Sequence, residues 1–460
     1  MSITTIDPTT GAPLHTYPTH GPDEIEALVA RGAAAAAAWG RVPLEQRVQL
    51  VQQLAEELRG HRDDLAGLIV AEMGKPLAEA GGEVEKSALT AEYYADNASA
   101  ILARRTVEVG PARAWITQEP LGLLLAVMPW NFPLWQVMRF AVPAVAAGNG
   151  VLLKHSPNVT GSALALQDLF EQTGFPAGLL TTLVVAEPQV PATIESLIAD
   201  DRVAAVTLTG SNRAGAAVGA AAGRAAKKSV LELGGSDAFV VLEDADVEAA
   251  AAAAVKARFT NGGQSCVCAK RFIIAAAVAE DFVARFVAGV QKLSVGDPAE
   301  PGTDMGPMAR DDLREALARQ VEQSVAAGAR VLTGGQAVEG EGFFFAPTVL
   351  ADVKPGMAAF DEETFGPVAA LTIAENDDEA VTLANATQFG LGLSIWTRDE
   401  QRGVAVAERI TSGAVFINAV VASDPRVPFG GTKKSGYGRE LAADGMLEFT
   451  STRTYWVGPA

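Results

Sequence analysis

Apolar residues recur at three-to-four spacing through residues 23–72, in ALVARGAAAAAAW and RVQLVQQLAEELRGHRDDLAGLIVAE, and again over 83–103. That period predicts helices across the N-terminal region. The pattern changes over Thr106–Glu119, where VEVGPARAWITQEP alternates about a Gly-Pro turn and predicts a hairpin. Short apolar runs follow, each ending in a glycine or polar residue and leading into a helical stretch: LLLAVMPWN, GVLLKHS, TTLVVAE, AAVTLTGS and SVLELGGS. Strands alternating with helices predict a parallel α/β sheet that binds ligands beyond the strands' carboxyl ends. A second α/β stretch runs from about Asp237 to Asn418, with FVVLED, RFIIAAAV, ARVLTGG and GAVFIN as strand candidates. The terminal FTSTRTYWVG alternates again and is free to pair with a sheet elsewhere.

The chain has 460 residues, more than one hydrophobic core usually serves, so at least two domains are expected. Its formal charge of −19 disfavours nucleic acid and anionic membranes as general partners. Only two cysteines occur, Cys266 and Cys268, too few to staple a secreted fold of this length. Four scattered histidines give no metal site. The start MSITTIDPTTG has no basic segment before an apolar run, and the Ala249–Ala254 run is soon broken by Lys256. With no membrane span in view, the cytoplasm is the expected location.

Several strand ends carry candidate chemistry. Cys266, in FTNGGQSCVCAKRF, follows two glycines that allow close backbone approach, as a nucleophilic thiol needs. The alternative is a buried cysteine serving as a small hydrophobe. Glu232, in LELGGSD, is a candidate general base, or else a cap or ion-pair member. Asn131, in MPWNFP, has an amide that can donate to an oxyanion; the alternative is a rigid turn. Lys154 ends GVLLK, where it can meet a ribose or phosphate or simply face solvent. Gly210 and Ser211 lie between a strand and a helix, where free N–H groups can take a pyrophosphate.

In order along the chain stand PWNFP (129–133), LLK (152–154), TGS (209–211), ELGG (232–235), F-x-N-x-G-Q-x-C (259–266), EETFGP (362–367) and PFGGTKKSGYGRE (428–440). This ordered set resembles the aldehyde dehydrogenase superfamily over essentially the whole chain. The resemblance implies a Rossmann-like cofactor domain, an α/β catalytic domain and a small β oligomerisation flap. Residues 1–103 and 120–234 would bind cofactor, 235–445 would carry catalysis, and 104–119 with 446–460 would serve assembly into a homodimer or homotetramer. It implies Cys266 as nucleophile, Glu232 as general base and Asn131 as oxyanion donor. Trp130, Lys154, Ser156, Pro157, Gly210, Ser211, Glu363 and Phe365 would line the cofactor site.

Within the superfamily, the segments LKHSPN and SDPRVPFGG are most similar to a short bacterial succinate-semialdehyde dehydrogenase branch. That likeness implies Arg139 and Ser423 as partners of a substrate carboxylate. Arg139 lies eight residues after Asn131, so on one helix the two would share a face. Some members carry a second arginine where this chain has Thr260. Trp135 and Phe132 would wall the substrate tunnel. Pro157 stands where NAD-preferring members have a glutamate; without that carboxylate a 2′-phosphate is not repelled, so NADP is the expected cofactor, with NAD as the alternative. A broad-specificity enzyme acting on neutral aldehydes, a cofactor-free thiol esterase and an inert structural protein of the same fold are the competing readings. Cys268 is a candidate redox partner of Cys266, through a strained disulfide, or a small core residue.

Overall fold

A computed structural model describes residues 1–459. The helical period of the N-terminal region resolves into Pro22–Trp39, Leu44–Gly60, Arg62–Met73 and the 25-residue Leu77–Ile101. On Leu44–Gly60 the buried Val51, Leu54, Ala55 and Leu58 fall at the spacing of one helix face. That face packs on Leu77–Ile101 and on Trp135–Ala147, a helix whose every residue is buried.

All five runs predicted in the first α/β stretch contribute strands to one six-stranded sheet. Its order is Gly436–Tyr437, Lys228–Glu232, Val203–Thr209, Leu123–Met128, Gly150–His155 and Leu180–Thr182. Every pairing is parallel except that of Gly436–Tyr437 with Lys228–Glu232. From Leu123–Met128 the chain first builds outward through Gly150–His155. It then returns to add Val203–Thr209 on the other side. This reversal is a topological switch point, and a crevice at the strands' carboxyl ends follows from it. TTLVVAE is strand only in its first residues: regular structure covers Leu180–Thr182 and the chain then leaves the ladder.

The second sheet has seven strands in the order Arg330–Thr333, Thr348–Ala351, Val368–Ala374, Ala269–Ala275, Asp237–Val241, Gly392–Trp396 and Ala414–Ile417. It is parallel apart from the Arg330–Thr333 edge. Three of its strands, Thr348–Ala351, Val368–Ala374 and Gly392–Trp396, lie outside the runs singled out in the sequence. They are almost wholly buried, so no alternation betrays them. The predicted hairpin forms as Arg105–Val109 and Ala112–Pro120, and Thr450–Val457 pairs antiparallel along it.

Apolar clusters cover both faces of each large sheet. A small separate cluster of Trp135, Leu391, Phe429 and Leu441 brings together residues from both halves, with Phe132, Cys266 and Val267 packed against it. The site is built on that cluster. Among the described residues no helix is long and apolar enough to cross a membrane.

Candidate active site

The segment before Cys266 is bent by three consecutive residues in the left-handed region, Asn261, Gly262 and Gly263, at φ 55°, 59° and 70°. Asparagine tolerates that conformation and glycine adopts it without strain. Gly263 is required for a second reason, because a Cβ there would sit 2.4 Å from the carbonyl oxygen of Gly366. The bend is then tied down by hydrogen bonds. The Asn261 side chain donates to the carbonyls of Asn131 (2.8 Å) and Gln264 (3.0 Å), and the buried Lys270 ammonium donates to those of Ser265 (3.1 Å) and Cys266 (2.9 Å). The cysteine is presented half-buried, ahead of the strand Ala269–Ala275.

Asn131 follows the strand Leu123–Met128, and its Nδ2 donates to the Gln264 carbonyl at 3.1 Å, two residues from Cys266. Glu232 is the last residue of Lys228–Glu232, 2% exposed, with neither carboxylate oxygen hydrogen-bonded. Burial first, and Glu440 second, hold its carboxyl well above the usual range. Burial likewise pushes the Cys266 thiol up to about 12; Arg139 and Lys270 pull it down, while Glu232 and Glu363 oppose them. At neutral pH the free site therefore holds the thiol proton, and the Glu232 carboxyl is displaced toward its protonated form.

A cavity of about 470 Å³ opens on Cys266 and gathers Phe132, Trp135, Arg139, Ser423, Thr260 and Cys268 onto its lining. Arg139 departs from its expected setting in two ways. Asn131 precedes the helix Trp135–Ala147, so the two side chains share no helix face. Nor is Arg139 a free cation or part of a surface pair. It is 2% exposed, forms a buried ion pair with Glu440, and its guanidinium lies 4.7 Å from the Phe429 ring centroid. Cys268 is buried as a free thiol with its sulfur 3.6 Å from the Thr260 carbonyl oxygen.

The cofactor-side residues lie at the carboxyl ends of the six-stranded sheet. Lys154 is buried at the end of Gly150–His155 with no hydrogen bond or ion pair among the described residues, and desolvation lowers its ammonium to about 8. A buried cation without a counterion suits an anionic ligand. Ser156 bonds the Asn158 side chain (2.7 Å), and Pro157 opens the short turn Pro157–Val159. Gly210 donates to the Glu232 carbonyl (2.9 Å), and Ser211 caps the helix Asn212–Arg224. Glu363 accepts from the Gly235 N–H (3.0 Å) and lies 3.4 Å from Lys270, while a Cβ on Gly234 would come within 2.3 Å of its carboxylate. Phe365 packs edge-on against Trp130, with centroids 5.7 Å apart. These groups fit a nicotinamide dinucleotide laid across the switch point. Among the described residues no cluster of acidic, histidine or cysteine side chains could hold a metal ion.

Sequence reasoning missed Lys86, Asn261, Lys270 and Glu440. Lys86 sits in a helix rich in alanine and glutamate, where lysine ordinarily faces solvent. A signal did exist: Glu79, Gly82, Glu83 and Lys86 follow helical spacing, and all four line the cavity.

The aldehyde dehydrogenase family profile matches residues 1–455. The NADP(+) succinate-semialdehyde dehydrogenase 1 of Mycobacterium bovis is 47% identical over 460 residues, spanning 99% of this chain and 100% of that protein. The NAD(P)+ succinate semialdehyde dehydrogenase Sad of Escherichia coli is 48% identical, spanning 98% and 97%. Among solved structures, the succinic semialdehyde dehydrogenase of Streptococcus pyogenes in complex with NADP+ superposes with a TM-score of 0.96 at 34% identity, covering 99% of this chain and 100% of that one.

Proposed function

The chain belongs to the aldehyde dehydrogenase family, and from that premise we propose that it oxidises succinate semialdehyde to succinate, with NADP preferred over NAD. The observation that carries the reading is Cys266 on the lining of a cavity that cationic side chains also line, in a protein of net charge −19. The full-length relatives named for this substrate and for NADP support it. Residues 1–103 and 120–234 are assigned to cofactor binding and 235–445 to catalysis, with Gly436–Tyr437 lent to the cofactor sheet. Residues 104–119 and 446–460 are assigned to assembly.

In the reaction the Cys266 thiol gives up its proton to solvent and the sulfur adds to the aldehyde carbon. The developing oxyanion accepts hydrogen bonds from the Cys266 backbone N–H and the Asn131 amide, which must swing from the Gln264 carbonyl. When bound, the oxidised nicotinamide supplies the hydride acceptor and a positive ring that favours the thiolate. Glu232, unpaired and acting in its ionised form, then takes a proton from the water that attacks the thioester. The acid leaves, and the proton that Glu232 took from water returns to the Cys266 sulfur, which resets the site. Lys154 and Ser156 hold the adenosine end, Gly210 and Ser211 the pyrophosphate, and Glu363 with Phe365 and Trp130 the nicotinamide end.

The test is NADPH and NADH formation from succinate semialdehyde and butanal. A kcat/KM at least about tenfold higher for the acid, with NADP the better cofactor, is expected. Equal values for the two aldehydes would favour the broad-specificity reading.

A further inference from the structure

The Cys266 N–H that meets the oxyanion is one end of a peptide group whose other end is the Ser265 carbonyl. Across a trans peptide the C=O and N–H point in opposite directions, so whatever holds the oxygen also aims the hydrogen. The oxygen is held twice, by the Lys270 ammonium at 3.1 Å and by the Cys268 N–H at 3.3 Å. The Cys266 N–H itself has no acceptor among the described residues. This peptide is loaded at its carbonyl and has its donor left to give.

Lys270 is wholly buried on the strand Ala269–Ala275. Besides Ser265, its ammonium meets the Cys266 carbonyl at 2.9 Å and the Glu363 carboxylate at 3.4 Å, which engages all three of its donors. Gly235 leaves room for that Cys266 carbonyl, since a Cβ there would come within 2.7 Å of its oxygen. The buried Asp237 is a second acid in reach of the charge. Burial raises its carboxyl to about 6, and Lys270 leads the groups that pull it back down. A neutral amide would hold two carbonyls at a lower desolvation cost than a buried cation. What the charge adds is polarisation. Hydrogen-bonded groups in series strengthen one another, so a cation on the C=O makes the N–H of the same peptide a stronger donor.

We infer that Lys270 is a positioning residue of the oxyanion site: through the Ser265–Cys266 peptide it fixes and polarises the Cys266 N–H that receives the negative oxygen. Lys270 touches no reacting atom in this role. The role rests on Cys266 being the nucleophile, and holds whichever aldehyde and cofactor the enzyme uses. Because the same ammonium also meets Glu363, which is assigned to the nicotinamide end, a test free of cofactor is the cleaner one.

Two reactions of the free enzyme separate this role from general support of the fold. Acylation by p-nitrophenyl acetate passes through a tetrahedral oxyanion: the Cys266 sulfur bonds the ester carbon, p-nitrophenolate departs, and an acetyl thioester remains. Alkylation by iodoacetamide displaces iodide at a saturated carbon and forms no oxyanion. Both need the thiolate, so the ratio of their rates at one pH cancels any change in thiol ionisation. The rates are measured in wild type, Lys270→Met and Lys270→Gln, from first-turnover nitrophenolate release and from loss of free thiol. Peptide mass spectrometry after acid quench locates both adducts. In Lys270→Met the acylation-to-alkylation ratio is expected to fall about tenfold. Lys270→Gln, which keeps a donor without the charge, should give a smaller fall, and it decides the matter alone if Lys270→Met does not fold. Equal loss of both reactions would make Lys270 a structural support and overturn the inference. So would a ratio unchanged in Lys270→Gln, since a neutral donor would then suffice. A wild type left without an acetyl group on Cys266 would overturn the nucleophile reading, and the Lys270 assignment with it.

Discussion

Cys266 and Glu232 are both displaced toward their protonated forms in the free site, and both for the same reason. Each is carried out of water faster than the surrounding positive charge can compensate. Only the thiolate reacts with an alkylating agent, and its fraction grows about tenfold per pH unit until the pH reaches the thiol's own pKa. Alkylation of the free enzyme by iodoacetamide, read at Cys266 by peptide mass spectrometry, should therefore still be climbing at about pH 9, two units above neutrality. A plateau by about pH 8 would mean that the thiolate is preformed. Glycines and strand ends marked Cys266, Glu232 and Asn131 as candidates, each with a structural alternative, and the ordered motifs that resemble the family gave them their roles. Lys270 was not legible in this way. Its meaning lies in which carbonyls its ammonium reaches, which only the folded chain determines.

At the scale of elements, the junction between Leu123–Met128 and Trp135–Ala147 explains one misreading. Pro129 and Pro133 bracket Asn131, and a residue before proline avoids the helical region, so the helix starts late and Asn131 stays in the loop. The helix then carries Arg139 inward to meet Glu440, joining two segments remote in sequence. Removing one member of a buried pair strands the other. Arg139→Ala leaves Glu440 uncompensated beside Glu232, and a loss of about 3–5 kcal/mol is expected in denaturant unfolding. Activity on acid and neutral aldehydes should fall in parallel. Unchanged stability with a loss confined to succinate semialdehyde would instead make Arg139 a direct contact of the substrate carboxylate. The strands that sequence reading passed over, such as Val368–Ala374, are the ones covered on both faces. Period-two alternation marks strands with a solvent-facing side, and the outer hairpin with its Thr450–Val457 partner is exposed or half-buried along nearly all its length.

Across the whole molecule, that outer three-stranded sheet leaves Trp456 62% exposed and its strand edges open. Open edges and exposed aromatics are what a partner copy would cover. Light scattering should give a mass that is two or four times the 47.7 kDa chain; a monomer would contradict assembly through this sheet. The opposite device closes the cofactor sheet. Its edge strand, Lys228–Glu232, is sealed by Gly436–Tyr437, a two-residue strip from near the far end of the chain. A ribosome delivers the edge long before it delivers the seal. For that interval the nascent protein carries a bare row of N–H and C=O groups beside Glu232, open to pairing with any extended chain nearby. The last stretch of translation thus does more than add a tail: it ends the period in which this sheet can aggregate.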